Sequence, residues 1–108
     1  MSTSAGITTD APVGRVLPIL SDIDEVRELV YDNDYDCYRF VMDGGASATL
    51  SEELKIFDDE IETCFAIYES EDLRAQRFLF EVLSSLLSFR VTMFAPDSDE
   101  VVAESNGD

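Results

Sequence analysis

Residues 70–89 constrain the fold of this 108-residue chain more than any other segment. They read SEDLRAQRFLFEVLSSLLSF, and apolar residues recur in them at the spacing of one helix face: Leu79, Val82, Leu83 and Leu86. Ser70 can cap the start, and the two acidic residues after it suit the positive end of a helix dipole. The segment is long enough to cover a sheet, so we predict a core helix around which the other elements pack.

Four shorter segments alternate apolar and polar residues or are rich in aromatic residues, which is typical of strands. They span residues 35–42, 46–50, 61–68 and 90–94. Between the first two, Asp43-Gly44-Gly45 is a strong turn signal. Residues 51–57 fit either a helical turn or the end of a strand, and the sequence leaves that choice open.

A first helix is predicted over residues 21–33. Ser21 can act as its N-cap, with Asp22 in the first turn. Its apolar stripe includes Ile23, Val26, Leu29 and Val30. Upstream, residues 13–20 are apolar but contain Pro18, which favours a short edge strand or an extended lead-in.

These elements predict an α+β fold, with an antiparallel sheet of three to four strands and two helices packed on one face. A chain of 108 residues has room for one domain. We expect a flexible N-terminal tail over residues 1–12, a single α+β domain over residues 13–95, and a disordered acidic C-terminal tail over residues 96–108.

Charge is the abnormal quantity in the composition, because 24 acidic residues oppose 7 basic ones and the net charge is −17. One interpretation is adaptation to concentrated salt, where the Debye length falls to about 3 Å at 1 M. A second is a negative surface that occupies a basic groove made for nucleic acid. A third is an ordinary acidic protein. Direct nucleic-acid binding by so acidic a chain is not expected.

The sequence predicts neither catalysis nor a cofactor. It contains no His, which excludes a His-based general base, triad or metal ligand. Cys37 and Cys64 are too far apart in sequence to form a CxxC motif. Residues 32–36 begin like a calcium loop, but Cys37 stands where that loop needs Gly and Asp43 where it needs Glu. We therefore expect a non-enzymatic protein without a metal site.

Acidic residues are densest along the predicted first helix and its exit. This candidate partner-binding run comprises Asp22, Asp24, Glu25, Glu28, Asp32, Asp34 and Asp36. A row of carboxylates on neighbouring elements can approximate the rise of about 3.4 Å between phosphates of a DNA strand. The structural alternative is a uniformly solvated acidic surface.

The predicted order over residues 21–89 is helix, three-stranded meander, helix, combined with strong acidity. In this order the chain resembles the small acidic anti-CRISPR proteins that imitate DNA. It is also similar to the acidic secretion chaperones, which are dimeric α+β proteins. This similarity makes a homodimer a possible assembly for this chain. The resemblance implies binding to another protein, and no functional residue is transferred from it.

No stretch is apolar for long enough to span a membrane, and the N-terminus lacks the basic and apolar regions of a signal peptide. We therefore expect a cytoplasmic protein. The predicted function is a small acidic protein-binding module that occupies a basic DNA- or RNA-binding surface of a partner and inhibits or regulates it. The alternative is a small regulatory or accessory protein of a salt-adapted cell, whose partner contact is apolar.

Overall fold

The computed structural model describes residues 3–42, 44–54, 61–69, 74–98 and 100–105. The elements in these ranges are β1 Thr3–Thr9, α1 Val13–Asp22, β2 Val26–Asp32, β3 Cys37–Met42, β4 Ser47–Leu54, β5 Ile61–Glu69, α2 Arg74–Leu86, β6 Val91–Phe94 and β7 Val101–Ser105. The protein is α+β, as predicted. The prediction of three to four strands is wrong, because seven strands form one sheet.

The strands lie in the order β2-β3-β4-β5-β1-β6-β7, and each neighbouring pair is antiparallel. β1 is an inner strand that pairs with β5 along its whole length and with β6 from Ile7 to Thr9. The predicted flexible tails are therefore wrong for the two segments that complete the sheet. Residues 3–9 form β1, and residues 101–105 form the edge strand β7.

Both helices cover the same face of the sheet. Successive side chains of a strand point to opposite faces, and one set enters the core. This buried strand set includes Ile7, Phe40, Leu50, Phe65, Ile67 and Val91. Val16 and Leu20 of α1 join the same cluster with Leu79 and Leu83 of α2. No helix in the described part of the chain covers the other side of the sheet, which we call the open face.

α1 occupies the segment for which the sequence favoured an edge strand, and Pro18 lies inside it. The helix is capped from a distant strand, because the Val13 N–H donates to Oε1 of Glu52 in β4 at 2.9 Å. A carboxylate at this position also suits the positive end of the helix dipole. Burial of Val16 and Leu20 adds to this cap and helps offset the hydrogen bond that Pro18 cannot donate.

The predicted helix over residues 21–33 is also wrong, because its middle forms the edge strand β2 paired with β3. The register shifts by one residue between Arg27 and Val30, which marks a β-bulge, and Glu28 in the bulge has a φ of 56°. The extra residue lets Val26 and Leu29 both pack against the core although they are three apart. The bulge therefore gives β2 core-facing apolar residues at the spacing expected for the apolar stripe of a helix.

The other predicted elements appear where the sequence placed them. The long helix is α2, and residues 70–73, which were expected to start it, lie outside the described residues. The four predicted strands correspond to β3, β4, β5 and β6. Of the ambiguous segment, residues 51–54 complete β4 and residues 55–57 lie outside the described residues. The order of elements that carried the resemblance to known families is not the order observed, since β2 replaces its first helix.

Candidate functional site

The seven acidic residues singled out in the sequence lie along the outer edge of the sheet. We define the acidic edge as β2 together with the turns at its two ends. Asp22 ends α1, and Asp24 and Glu25 lie between α1 and β2. Glu28 and Asp32 belong to β2. Asp34 and Asp36 lie in the turn that leads to β3. A strand of seven residues is about 20 Å long, so the run is spread along an edge rather than along a helix.

Two of these carboxylates are engaged in the turn between β2 and β3. Asp32 accepts the Asp34 N–H at 2.9 Å on Oδ1 and contacts Nε of Arg39 at 2.9 Å with Oδ2. Asp36 accepts a hydrogen bond from the Tyr31 hydroxyl, and this bond raises the pKa of Tyr31. These two carboxylates therefore stabilise the conformation of the turn in addition to carrying negative charge.

Four other carboxylates of the acidic edge are exposed: Asp22, Asp24, Glu28 and Asp34. The described contacts give their side chains no hydrogen-bond or ion-pair partner within the protein. Glu25, the remaining member of the run, is half-buried. The acidic edge therefore offers four outward carboxylates to a partner.

Glu28 holds an unfavourable backbone conformation at the centre of this edge. Its φ of 56° lies in the left-handed region, which a side chain like that of Glu rarely adopts. Strain of this kind is often retained at binding sites. It also has a structural explanation, because a bulge and charged residues on an edge strand prevent pairing with other strands.

The open face contrasts with the acidic edge. Its centre on β1, β4 and β5 is formed by small uncharged residues: Ser4, Gly6, Thr8, Ser47, Thr49, Ser51, Cys64 and Ala66. Ala5 and Ile7 of β1 are buried in the core, which sends their neighbours Ser4, Gly6 and Thr8 to the open face. These eight residues are uncharged, but Glu53 of β4 and Glu62 of β5 lie on the same side of the sheet, within 3.6 and 3.8 Å of the Cys64 sulfur.

A groove of about 610 Å³ crosses the open face beside the acidic edge. It is lined by residues of four strands, among them Glu28, Val30, Arg39, Val41, Thr49 and Tyr68. Val30 is 56% exposed and Tyr68 is 44% exposed. Arg39 is paired with Asp32 and lies 5.3 Å from the centre of the Tyr35 ring, a cation–π distance. The groove thus combines exposed apolar surface with a paired Arg39 and the exposed carboxylate of Glu28.

An ionic cluster borders the opposite end of the open face. The Arg90 guanidinium contacts carboxylate oxygens of Asp10 and Glu62, each at 2.9 Å. It also donates to the Thr92 hydroxyl, which in turn donates to Glu104 at 3.1 Å. The hydrogen bonds to Asp10 raise the pKa of Arg90 and outweigh the opposing effect of burial. The cluster joins β5, β6 and β7 to the residue that follows β1 and has the character of a structural network.

Neither cysteine has the environment of a reactive nucleophile. Cys37 is buried. Burial raises the pKa of the Cys64 thiol to about 12, and the neighbouring carboxylates of Glu53 and Glu62 add to the effect. A thiolate is needed for nucleophilic attack, so Cys64 stays in its unreactive thiol form at neutral pH.

The acidic residues of the edge were singled out from the sequence, although on a predicted helix, whereas the open face was not predicted. Four of the residues at the centre of that face were either in the supposed N-terminal tail or in the ambiguous segment: Ser4, Gly6, Thr8 and Ser51. The alternation of Ala5, Ile7 and Thr9 with smaller polar neighbours was the available signal.

The last three findings concern metal binding, membrane-spanning helices and similarity to known proteins. Within the described ranges, no group of three or more His, Cys, Asp or Glu residues is placed to hold a metal ion. Neither α1 nor α2 is long and apolar enough to cross a membrane. Comparison of the chain with protein-family models, curated proteins and solved structures finds no match.

Proposed function

We propose that the protein is a non-enzymatic binding module that holds a basic partner protein along its acidic edge. In this proposal it occupies a surface that otherwise binds DNA or RNA, and so inhibits or regulates the partner. The observation that carries the proposal is the row of four exposed carboxylates spread along β2 and its turns, at Asp22, Asp24, Glu28 and Asp34.

The length of the row suits a surface made for phosphates. β2, the strand of the acidic edge, is about 20 Å long, and the rise per base pair is about 3.4 Å, so the strand covers the length of roughly six base pairs. A partner that binds phosphates there presents Arg and Lys along a similar length. Complementary charge of this kind accelerates association and makes it sensitive to salt.

The test uses a fluorescein-labelled nona-arginine peptide as a model basic partner, with binding followed by fluorescence anisotropy. The edge variant carries Asp24→Asn and Asp34→Asn, which remove two exposed charges and keep side-chain size. Asp32 and Asp36 are left intact because they hold the turn. We expect the edge variant to bind about tenfold more weakly than the wild type at low salt.

The matched control carries Glu81→Gln and Glu100→Gln, two exposed positions outside the acidic edge. Both variants have the same net charge, so a binding loss that depends only on total charge is equal in the two. Equal losses would contradict the proposal. We expect the control to stay within about twofold of the wild type, and binding of the wild type to weaken steeply as salt rises.

The groove on the open face favours a second candidate, an accessory protein of a salt-adapted cell with an apolar partner contact. Under this candidate the acidity serves folding in concentrated salt, and the exposed Val30 and Tyr68 meet the partner. Circular dichroism across a salt titration tests it. Folding should improve toward molar salt because screening relieves the repulsion within a chain of charge −17. A fully cooperative fold in dilute buffer would count against this candidate.

A further inference from the structure

A pocket of about 420 Å³ lies on the helix-covered side of the sheet, between α1 and the strands β2, β3 and β4. Its lining includes two aromatic rings and two carboxylates, those of Tyr31, Tyr38, Asp36 and Glu52. Apolar side chains of α1, among them Leu17, form another wall. In the part of the chain that the structure describes, no Arg or Lys lines this pocket. We call it the tyrosine pocket.

The register of the strands explains why these groups meet. Tyr31 of β2 pairs with Tyr38 of β3, and Tyr38 pairs with Leu50 of β4, so the three side chains share one face. Leu50 is fully buried in the core, which identifies this face as the one that the helices cover. Glu52 lies two residues after Leu50 and points to the same side. Asp36 comes from the turn between β2 and β3 and accepts the hydroxyl of Tyr31.

Both carboxylates of the tyrosine pocket are exposed and carry charge that the described contacts do not neutralise. Asp36 uses Oδ1 for the Tyr31 hydroxyl, and Glu52 uses Oε1 for the Val13 N–H. Among the described contacts, neither carboxylate has an Arg or Lys partner. The two aromatic rings, of Tyr31 and Tyr38, have centroids 5.0 Å apart and planes inclined by 62°, so they form a corner rather than a flat stack.

We propose that the tyrosine pocket binds the guanidinium group of an Arg side chain of the basic partner. This inference rests on the proposed function, because Tyr31 and Asp36 belong to the acidic edge that holds that partner. A guanidinium stacks on aromatic faces and presents N–H donors in a planar fork that matches carboxylate oxygens. The pocket supplies both kinds of contact. A Lys ammonium has the same charge but is a compact and strongly hydrated ion, so it matches this pocket less well.

The first test compares nona-arginine with nona-lysine, which carries the same number of positive side chains, by fluorescence anisotropy. We expect the wild type to bind nona-arginine about fivefold more tightly than nona-lysine. Glu52→Gln should lower this ratio below about twofold, because it removes a carboxylate of the pocket and keeps an acceptor for the Val13 N–H. The matched control is Glu53→Gln, which has the same net charge. The Glu53 side chain lies on the other side of the sheet, beside Cys64, so the control should keep the ratio.

Two replacements of Tyr31 separate the ring from its hydroxyl group. Tyr31→Leu removes one aromatic wall, and the preference for nona-arginine should fall below about twofold. Tyr31→Phe keeps the ring and releases Asp36 from its hydrogen bond, so the preference should not fall. Circular dichroism establishes that both variants are folded before binding is compared.

Titration of the wild type with methylguanidinium chloride needs no variant. In NMR spectra the ring signals of Tyr31 and Tyr38 should shift, and that of Tyr68 on the open face should shift much less. Methylammonium chloride at equal concentration controls for ionic strength. The inference would be overturned if the three rings shift equally, or if neither Glu52→Gln nor Tyr31→Leu lowers the peptide ratio. Failure of the proposed function looks different, because the edge variant then binds as tightly as its control while methylguanidinium still shifts the two pocket rings.

Discussion

Replacing Gln76 with Leu tests the contact that holds β1 inside the sheet. Gln76 lies on α2 and is only 2% exposed. Its amide nitrogen donates to the carbonyl oxygen of Gly6 at 2.9 Å and to that of Phe94 at 2.7 Å. β1 and β6 pair directly only between Ile7–Thr9 and the opposing residues of β6, so the amide joins the strands just beyond that pairing.

The structure sets the size of the expected effect. The Leu side chain is similar in size but donates no hydrogen bond, so two partly buried carbonyl groups lose their donor. Each lost bond is worth about 1–1.5 kcal/mol, and the total loss of unfolding free energy should be about 2–3 kcal/mol. For a chain of this size the midpoint of thermal unfolding should fall by roughly 8–15 °C. Urea unfolding followed by circular dichroism in molar KCl measures the loss, with the slope m unchanged.

Gln76→Glu gives the same contact a dependence on pH. A protonated Glu can donate one hydrogen bond to a carbonyl group, whereas a carboxylate faces two carbonyl oxygens and is repelled. The folded pKa of Glu at position 76 should therefore lie above its unfolded value of about 4.3. The variant should be most stable below that pH and lose stability as pH rises through the folded pKa. If Gln76→Leu stays within about 0.5 kcal/mol of the wild type and Gln76→Glu shows no such slope, the reasoning is refuted.

The remaining predictions concern the core, the bulge and the thiol. Leu83→Ala should lower the unfolding free energy by about 2–5 kcal/mol in urea titrations, because Leu83 of α2 is fully buried in the core; a loss below about 1 kcal/mol would contradict this. Glu28→Gly should leave the protein as stable or up to about 1 kcal/mol more stable, whereas Glu28→Val should cost about 1–2 kcal/mol, since only Gly adopts a φ of 56° without strain. The pKa of Cys64, raised from about 9 to about 12, keeps the folded thiol protonated where the unfolded thiol ionises. Stability should therefore fall as pH rises above about 9, and less so in Cys64→Ser; iodoacetamide should label the folded protein more slowly than the urea-unfolded one.

Elements were predicted correctly from the sequence where a single apolar periodicity, helical or alternating, runs through the whole segment. α2 has a sustained apolar stripe, and Leu79 and Leu83 of that stripe are fully buried in the core. β5 alternates over its whole length and was also predicted. These elements pack against the rest of the fold in the conformation that their own local pattern favours.

The sequence predicted poorly where contacts distant in sequence decide the conformation. β1 has few large side chains, and it is held by pairing with β5 and β6 and by Gln76, all of them more than 50 residues away in sequence. α1 contains Pro18 and receives its cap from Glu52 in β4. β2 looked helical because its bulge moved apolar residues to helical spacing. None of these three causes is visible within the segment concerned.

The distribution of charge bears on whether the acidity is adaptation or a binding device. Adaptation to salt requires only that carboxylates cover the solvated surface, and the open face also carries carboxylates, Glu53 and Glu62, beside its small residues. Mimicry of nucleic acid requires carboxylates in a row, and the acidic edge provides one along β2. Binding of a basic peptide along the acidic edge should therefore weaken steeply as salt rises, and binding that is insensitive to salt would count against this row as a binding surface.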